Sequence, residues 1–400
     1  MAAMLRRTVL LIVLLLLGAG CVSEGGQRAA PVAPPTVTPF IAAATEGSTA
    51  EAPVAEAPAA EDSAGSPAKI GVAAEAAEEL ATPEDEPPAR LTQLTEAGCC
   101  VGSAFSADGQ TVLYIDQPAP GQPVGIYGVG LAGGDPTLYS ARIGDFSRDG
   151  RYLAYMQRQE MTVVENRETG GIMPIRNGGR RVTFSPGVTR LAWNESVDSG
   201  NFDQRPSTVW VADLKGENAQ AVAERIGGGL VGWLDEEHLL LSGAPLDDPS
   251  NRGLDVLSLA DGSLTRLISS RRIRMAEPSP SGEWVALAVA LDTDDPDLNG
   301  MWVISADGET QHRLPVDGGL HWRDGSRLLV VPLEMGAESH RLLEFDAERG
   351  EMAPLTDPAV TPFRIFAGDW KVSPTGEHVV FVNAADQAIW LLELPDAPAD

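Results

Sequence analysis

Lysine is scarce in this sequence, and acidic residues outnumber basic ones. The 400 residues include 29 Lys plus Arg against 57 Asp plus Glu, and the only lysines are Lys69, Lys215 and Lys371. The formal net charge of −28 creates a surface potential that repels phosphate groups. Nucleic acid is therefore not an expected partner.

A long hydrophobic run is also missing. The apolar segment from Val9 to Leu17 is far shorter than the roughly 20 residues of a membrane-spanning helix. It follows Arg6 and Arg7 and precedes small residues, which predicts an export signal over residues 1–20. The stretch LGAGC resembles a bacterial lipobox, so the resemblance implies lipidation at Cys21. A plain secretory signal with an incidental cysteine, or an uncleaved anchor, remains open.

Aromatic residues are almost absent from residues 21–88. The segment from Val22 to Pro88 holds 19 Ala and 10 Pro among its 67 residues, with Phe40 as its one aromatic side chain. Such a composition buries too little apolar surface to offset the entropy of ordering the backbone. We predict a disordered tether over 21–88 and a folded body over 89–400. The expected location is the extracytoplasmic side of a membrane, at the cell surface or in the periplasm.

Catalytic signatures are missing as well. The chain has no Gly-x-Ser-x-Gly motif, and none of its five histidines (His238, His312, His321, His340 and His378) stands in a His-x-x-x-His pair. The sequence therefore predicts a protein that is not an enzyme, with no catalytic residue and no cofactor.

What the sequence does contain is a repeat. Near-copies of one pattern, a turn sequence such as Ser-x-Asp-Gly followed by a short apolar run, recur along the body: FSADGQTVLYI, FSRDGRYLAYM, PSPSGEWVALA, HWRDGSRLLVV and VSPTGEHVVFV. Weaker copies, FSPGVTRLAW and GWLDEEHLLLS, lie between them. Ser, Pro and Gly in this order suit a type I turn that joins two strands.

Each repeat also contains a second and a third turn, which gives four strands per unit. The apolar runs, such as RYLAYM, must be covered on both faces, as in a β-propeller. Anchors at Ser106, Ser147, Ser185, Trp233, Ser279, Trp322 and Ser373 stand 38 to 51 residues apart and predict seven blades. The last repeat lacks an outer strand, which ARLTQLT (Ala89 to Thr95) is expected to supply, closing the ring.

The units FSRDGRYLAYM with MTVVENRETGGIMPI, and PSPSGEWVALA with MWVISADGETQHRL, resemble TolB-type, WD-like propeller repeats. Similar repeats occur in propeller domains of prolyl-oligopeptidase-like peptidases. The resemblance covers about residues 89 to 397 and implies an all-β propeller fold more specifically than any function. TolB itself has six blades and a separate N-terminal domain. This sequence predicts neither feature, so the partnerships of TolB are not implied for it.

Two local features suggest ligand or redox chemistry. Cys99 and Cys100 are adjacent, and in an exported protein they are candidates for a vicinal disulfide, with two free thiols as the alternative. The segment LDTDDPDLNG offers Asp292, Asp294, Asp295 and Asp297 as a weak calcium site. It departs from the EF-hand pattern, and a solvated acidic loop is the preferred interpretation.

The links between second and third strands are the long ones. We expect Asp116 to Val124, Asn194 to Ser207, Gly243 to Arg252 and Leu291 to Asn299 to leave the same face of the propeller and to form a binding face. The candidate contact residues are Asp203, Arg205, Asp247, Asp248, Asp292 and Asp294.

The sequence thus favours a non-catalytic, lipid-anchored and monomeric propeller that binds or scaffolds a protein at the cell envelope. The alternatives are a propeller enzyme, hydrolase or lyase, and a sensor of small ligands or glycans, each using the central channel. Loop drift without a binding role also remains open.

Overall fold

The computed structural model describes residues 89–98, 101–157, 160–197 and 200–395. These residues form 28 β-strands and two short 3₁₀ helices, Phe202–Gln204 and Pro296–Leu298. The predicted signal, the tether, Cys21 and the Cys99–Cys100 pair lie outside the described residues. Among the residues described, no helix has the length and apolar character needed to cross a membrane.

The strands form an all-β propeller with four-stranded antiparallel blades. The first sheet contains β2 (Val101–Phe105), β3 (Thr111–Asp116), β4 (Gly125–Gly130) and β5 (Thr137–Ser140). The second contains β6 (Asp145–Phe146), β7 (Tyr152–Met156), β8 (Thr162–Asn166) and β9 (Ile172–Ile175). A third sheet contains β18 (Ile273–Pro278), β19 (Trp284–Val289), β20 (Gly300–Ser305) and β21 (Gln311–Arg313). A fourth contains β22 (Gly318–Trp322), β23 (Arg327–Pro332), β24 (Leu343–Asp346) and β25 (Glu351–Pro354).

The last four-stranded sheet joins the two ends of the described chain. It contains β26 (Ile365–Val372), β27 (His378–Asn383), β28 (Ile389–Glu393) and β1 (Arg90–Gln93). Strand β1 pairs antiparallel with β28, from Arg90 opposite Glu393 to Gln93 opposite Trp390. The predicted closure by the N-terminal strand is confirmed. Closure covers the outer edge of β28, which would otherwise be open for pairing with another chain.

The remaining eight strands form one continuous sheet. They are β10 (Thr183–Phe184), β11 (Arg190–Ser196), β12 (Pro206–Asp213), β13 (Gln220–Ile226), β14 (Leu230–Trp233), β15 (His238–Pro245), β16 (Gly253–Ser258) and β17 (Leu264–Ser269). The prediction of seven separate four-stranded blades is therefore wrong. Five separate four-stranded sheets are present among the described residues, and β10–β17 are joined by pairing between β13 and β15.

Three consecutive glycines, residues 227–229, lie at the junction between β13 and β15. A side-chain carbon at Gly228 would lie 2.5 Å from the carbonyl of Ser242, so only glycine lets the two backbones approach this closely. A buried ion pair also spans the junction: Arg225 Nη1 of β13 lies 2.8 Å from Asp255 Oδ2 of β16. Arg266 also binds Asp255. Repeat counting could not predict the merged sheet because it depends on this close contact rather than on the period.

The predicted turns form as expected at the five serine anchors. At each one, the serine carbonyl accepts a hydrogen bond from the backbone N–H three residues later, as from Gly109 to Ser106 and from Gly150 to Ser147, both within 3.0 Å. The serine hydroxyl also accepts from an N–H at the start of the next strand, as from Thr111 to Ser106 Oγ at 3.0 Å. Serine thus satisfies backbone groups that the turn leaves free.

First strands of neighbouring four-stranded sheets contact each other, as in the pairs β2 with β26 and β22 with β26, and β14 of the eight-stranded sheet contacts β18. They therefore lie around the propeller axis. The apolar core lies between sheets rather than within one: Tyr114 of β3 packs in one cluster with Ile389 of β28, and Trp284 of β19 with Trp322 of β22. Each sheet is covered on both faces, as the apolar runs required.

Candidate functional site

The links between strands divide between two ends of the sheets. We call the end with the turns between first and second strands the turn face, and the end with the links between second and third strands and between consecutive sheets the loop face. The four predicted long links all connect second with third strands. A fifth long link, residues 333–342 between β23 and β24, was not predicted from the sequence.

Exposed apolar side chains concentrate on the loop face. Among the described residues, thirteen large apolar side chains are exposed, and ten lie in or next to loop-face links: Ile143, Met156, Val197, Phe202, Leu246, Leu291, Leu333, Met335, Val360 and Phe366. Met335 is 97% exposed and Leu333 77%, both in the link that the sequence analysis missed. Exposed apolar groups concentrated on one face are typical of a surface that binds a partner.

A cavity of about 520 Å³ opens on this face. Its lining comes from two of the predicted links and from the segment between β17 and β18, and consists of Asn201, Asp203, Gln204, Ile226, Pro249, Arg252, Arg271 and Arg272. The volume lies in the range of ligand sites. The structure therefore brings together two of the four predicted links in one concave site, and arginines supply three of its six polar lining residues.

Arg252 is held rigidly at this site. Its Nη1 donates to Asp203 Oδ1 at 2.8 Å and its Nη2 to the Asp203 carbonyl at 2.6 Å, and its side chain is only 10% exposed. A side-chain carbon at Gly227 would lie 2.5 Å from Arg252 Nη2, so the glycine makes room for the guanidinium group. One guanidinium thus ties the 194–207 link to the 243–252 link.

The other predicted contact residues have varied positions. Arg205 is half-buried beside the ring of Phe202, with its Cζ 6.0 Å from the ring centre. Asp248 accepts from the hydroxyl of Ser250 at 2.6 Å, which stabilises its own link. Asp247 and Asp294 are exposed. Of the six residues proposed from sequence, only Asp203 lines the cavity.

Asp292 has a structural position. Its Oδ2 accepts from the Ser270 hydroxyl at 2.6 Å, and its Oδ1 accepts from the backbone N–H groups of Asp294 and Asp295 at 3.0 and 3.1 Å. The Ser270 hydroxyl, more than any other group, holds the pKa of Asp292 below its ordinary value; the Asp295 N–H and the charge of Arg272 act in the same direction. This link is thereby fixed to the segment that carries Arg271 and Arg272.

The calcium hypothesis for the same link stays a prediction. The carboxylate of Asp295 accepts from the Asp297 N–H and caps the 3₁₀ helix Pro296–Leu298. The part of the chain that the structure describes contains no group of three or more His, Cys, Asp or Glu side chains that could hold a metal ion. Hydrogen bonds within the link, and the bond from Ser270, account for the carboxylates of Asp292 and Asp295.

A second polar cluster lies at the axis, on first strands of three consecutive sheets. His321 Nδ1 is 2.9 Å from Glu277 Oε2, and His321 Nε2 is 3.3 Å from Lys371 Nζ. An ammonium group only donates, so Nε2 accepts and Nδ1 carries the proton that is donated to Glu277. The ring of Trp370 packs against His321 with ring centres 4.7 Å apart.

Sequence reasoning missed both clusters, although the signals were present. In the sequence, Glu277 and Lys371 stand two residues before the anchors Ser279 and Ser373, and His321 stands one residue before the anchor Trp322. In the structure, the three residues share one position, directly before the last residue of each first strand. Arg271 and Arg272 form an adjacent basic pair in an acidic chain, a second signal that the focus on loop carboxylates overlooked.

The chain matches no protein-family profile and no curated relative by sequence. Solved structures do resemble it. An oligogalacturonate lyase from Vibrio parahaemolyticus has a TM-score of 0.56 at 13% identity, over 80% of this chain and 97% of that one. An oligogalacturonate lyase in complex with manganese has a TM-score of 0.54 at 14% identity, over 79% and 99%. An acylaminoacyl peptidase from Pyrococcus horikoshii has a TM-score of 0.52 at 15% identity, over 74% of this chain and 52% of that one. At these identities the likeness shows the β-propeller fold alone.

Proposed function

We propose that this chain is a non-catalytic propeller, built from TolB-type repeats, whose loop face binds a protein partner at the cell envelope. The concentration of exposed apolar side chains on that face carries the proposal. Leu333 and Met335 are exposed in one link, and the exposed Phe202 and Leu246 belong to the two links that supply residues to the arginine-lined cavity. Burying such side chains against a partner removes apolar surface from water, at roughly 25 cal/mol per Å².

The test compares two double variants of the full chain. Leu333→Asp with Met335→Asp changes the loop face, and Ile172→Asp with Leu264→Asp changes exposed apolar residues away from it. Affinity capture after crosslinking in cells should recover a partner with the wild type and the control, and lose it with the loop-face variant. Equal capture by all three proteins would refute the proposal.

We propose further that the chain is exported and anchored through a lipid on Cys21, and that its propeller is a monomer on the extracytoplasmic side. The charged start, the short apolar run and the small residues before Cys21 support this proposal. Mass spectrometry of the mature N-terminus should find diacylglyceryl-modified cysteine. An unmodified Cys21 within a longer chain would contradict it.

A second candidate function is catalysis or small-ligand sensing at the axis, and the Glu277–His321–Lys371 cluster favours it. A carboxylate that orients an imidazole is an arrangement suited to general acid–base chemistry. The manganese of one similar lyase has no counterpart group in the described residues. Incubation of the full chain with oligogalacturonate should give an unsaturated product if the chain is a lyase, and His321→Ala, but not His378→Ala, should abolish it.

A further inference from the structure

The arginine-lined cavity on the loop face has a charge opposite to that of the whole chain. Three guanidinium groups against the one carboxylate of Asp203 leave two positive charges in the lining, in a protein of net charge −28. A cation-lined concave site attracts anionic ligands, while the surrounding surface repels them. The polarity of the cavity therefore selects a negatively charged ligand.

Two of the arginines are available to such a ligand. Arg271 and Arg272 are exposed and, among the described residues, form no direct ion pair, although Arg272 lies within electrostatic reach of Asp292. Arg252 is positioned by Asp203 and by the space at Gly227. One rigid and two accessible guanidinium groups can bind more than one carboxylate, since arginine binds carboxylates with two parallel hydrogen bonds.

The surroundings of the cavity indicate an extended ligand. Ile226 and Pro249 line it, and the exposed side chains of Phe202 and Leu246 lie in the same links as its polar residues. A chain that places carboxylates in the cavity and apolar side chains against Phe202 and Leu246 would use both features. We propose that the cavity binds an acidic segment of a protein partner, an inference that rests on the proposed binding role of the loop face.

The probe is a fluorescein-labelled octapeptide of alternating Glu and Leu, titrated with the full chain and followed by fluorescence anisotropy. Binding should weaken as the salt concentration is raised from about 50 mM to about 300 mM, because screening reduces charge attraction. The double variant Arg271→Glu with Arg272→Glu should lower the affinity by at least about tenfold, since each substitution reverses a charge at the contact. Asp203→Asn keeps a side-chain oxygen and the backbone carbonyl that can accept from Arg252, but it removes the competing negative charge, so it should raise the affinity.

The matched control is Arg176→Glu with Arg180→Glu, which changes the net charge equally at exposed positions outside the cavity. Its affinity should stay within about threefold of the wild type. No binding of the peptide, or an equal loss in both double variants, would overturn the proposal. Succinate or inorganic phosphate that displaces the peptide at equal concentration would also overturn it, in favour of a free small anion.

This outcome is separable from that of the proposed function. If the Leu333 and Met335 variant loses partner capture while the peptide fails to bind, the loop face is a protein-binding surface and the acidic-segment proposal alone fails. If the peptide binds but that variant still captures the partner, the proposal for the loop face fails and the acidic-segment proposal stands.

Discussion

At the turn face, Ser106 Oγ donates to Asp108 and accepts from the Thr111 N–H, and Ser147 does the same with Asp149 and the Tyr152 N–H. At both of these anchors, the serine and aspartate side chains bond groups of their own turn. At the loop face, the polar groups differ from link to link, and Arg271 and Arg272 stay exposed beside a cavity. The repeated face uses its turn serines to stabilise the fold, whereas the variable face presents exposed polar and apolar side chains, which the proposed function assigns to a ligand.

The largest effect should come from the ion pair beneath the loop face. Asp255→Asn leaves Arg225, which is 1% exposed, without its carboxylate partner, and we expect a loss of about 3 kcal/mol in the free energy of unfolding. Asp203→Asn removes the exposed carboxylate that pairs with Arg252, and it should change the free energy of unfolding by less than about 0.5 kcal/mol. Urea unfolding of both variants measures the contrast. Equal losses would mean that the loop face, too, is needed for folding.

The next effect tests how closely neighbouring turns pack. A side-chain carbon at Gly282 would lie 2.1 Å from the Leu234 carbonyl of the preceding repeat, whereas one at Gly262 would meet nothing within 4 Å. Both glycines have positive φ, +78° and +75°. Gly262→Ala should therefore cost only the left-handed backbone, about 1 kcal/mol, and Gly282→Ala about 3 kcal/mol, because it adds a clash.

Thermal and urea unfolding of the two glycine variants provide the comparison. A cost for Gly282→Ala no greater than that for Gly262→Ala would show that the turns do not pack against one another in solution. The partner capture described above should be unaffected by either variant, because both glycines lie at the turn ends of the sheets.

A smaller contrast separates two serines. Ser185 is 1% exposed and accepts from the N–H groups of Thr189 and Arg190, at 3.2 and 3.1 Å. Ser185→Ala leaves these groups without their acceptor and should cost about 1–2 kcal/mol. Ser250→Ala, in an exposed loop-face link, should cost less than about 0.5 kcal/mol. A loss of equal size at Ser250 would contradict the division between the faces.

The two faces also differ in how far sequence could predict them. The turns were predictable because Ser, Asp and Gly act within a few residues of one another, and the pairing of β1 with β28 followed from a missing strand. The merging of β13 with β15 could not be predicted, because it depends on a close contact between Gly228 and Ser242. The cavity joins Arg252 to Asp203 across 49 positions, a distance that no local pattern encodes.

The smallest expected effect is the acid response of the turns. The Ser106 hydroxyl lowers the pKa of Asp108, the Ser305 hydroxyl lowers that of Asp307, and the Ser263 hydroxyl lowers that of Asp261 from 3.8 to about 2. A carboxyl group with a lower pKa in the folded state stabilises the fold above pH 3.8, and this contribution is lost as pH falls towards about 2. The unfolded chain then binds more protons than the folded one, so the free energy of unfolding must decrease across this interval as the pH falls.

Ser263→Ala should flatten that decrease, whereas Ser140→Ala, whose hydroxyl bonds only backbone groups, should not. Urea unfolding at several pH values measures the slope, and identical slopes for the two variants would mean that the turn serines do not stabilise the ionised carboxylates.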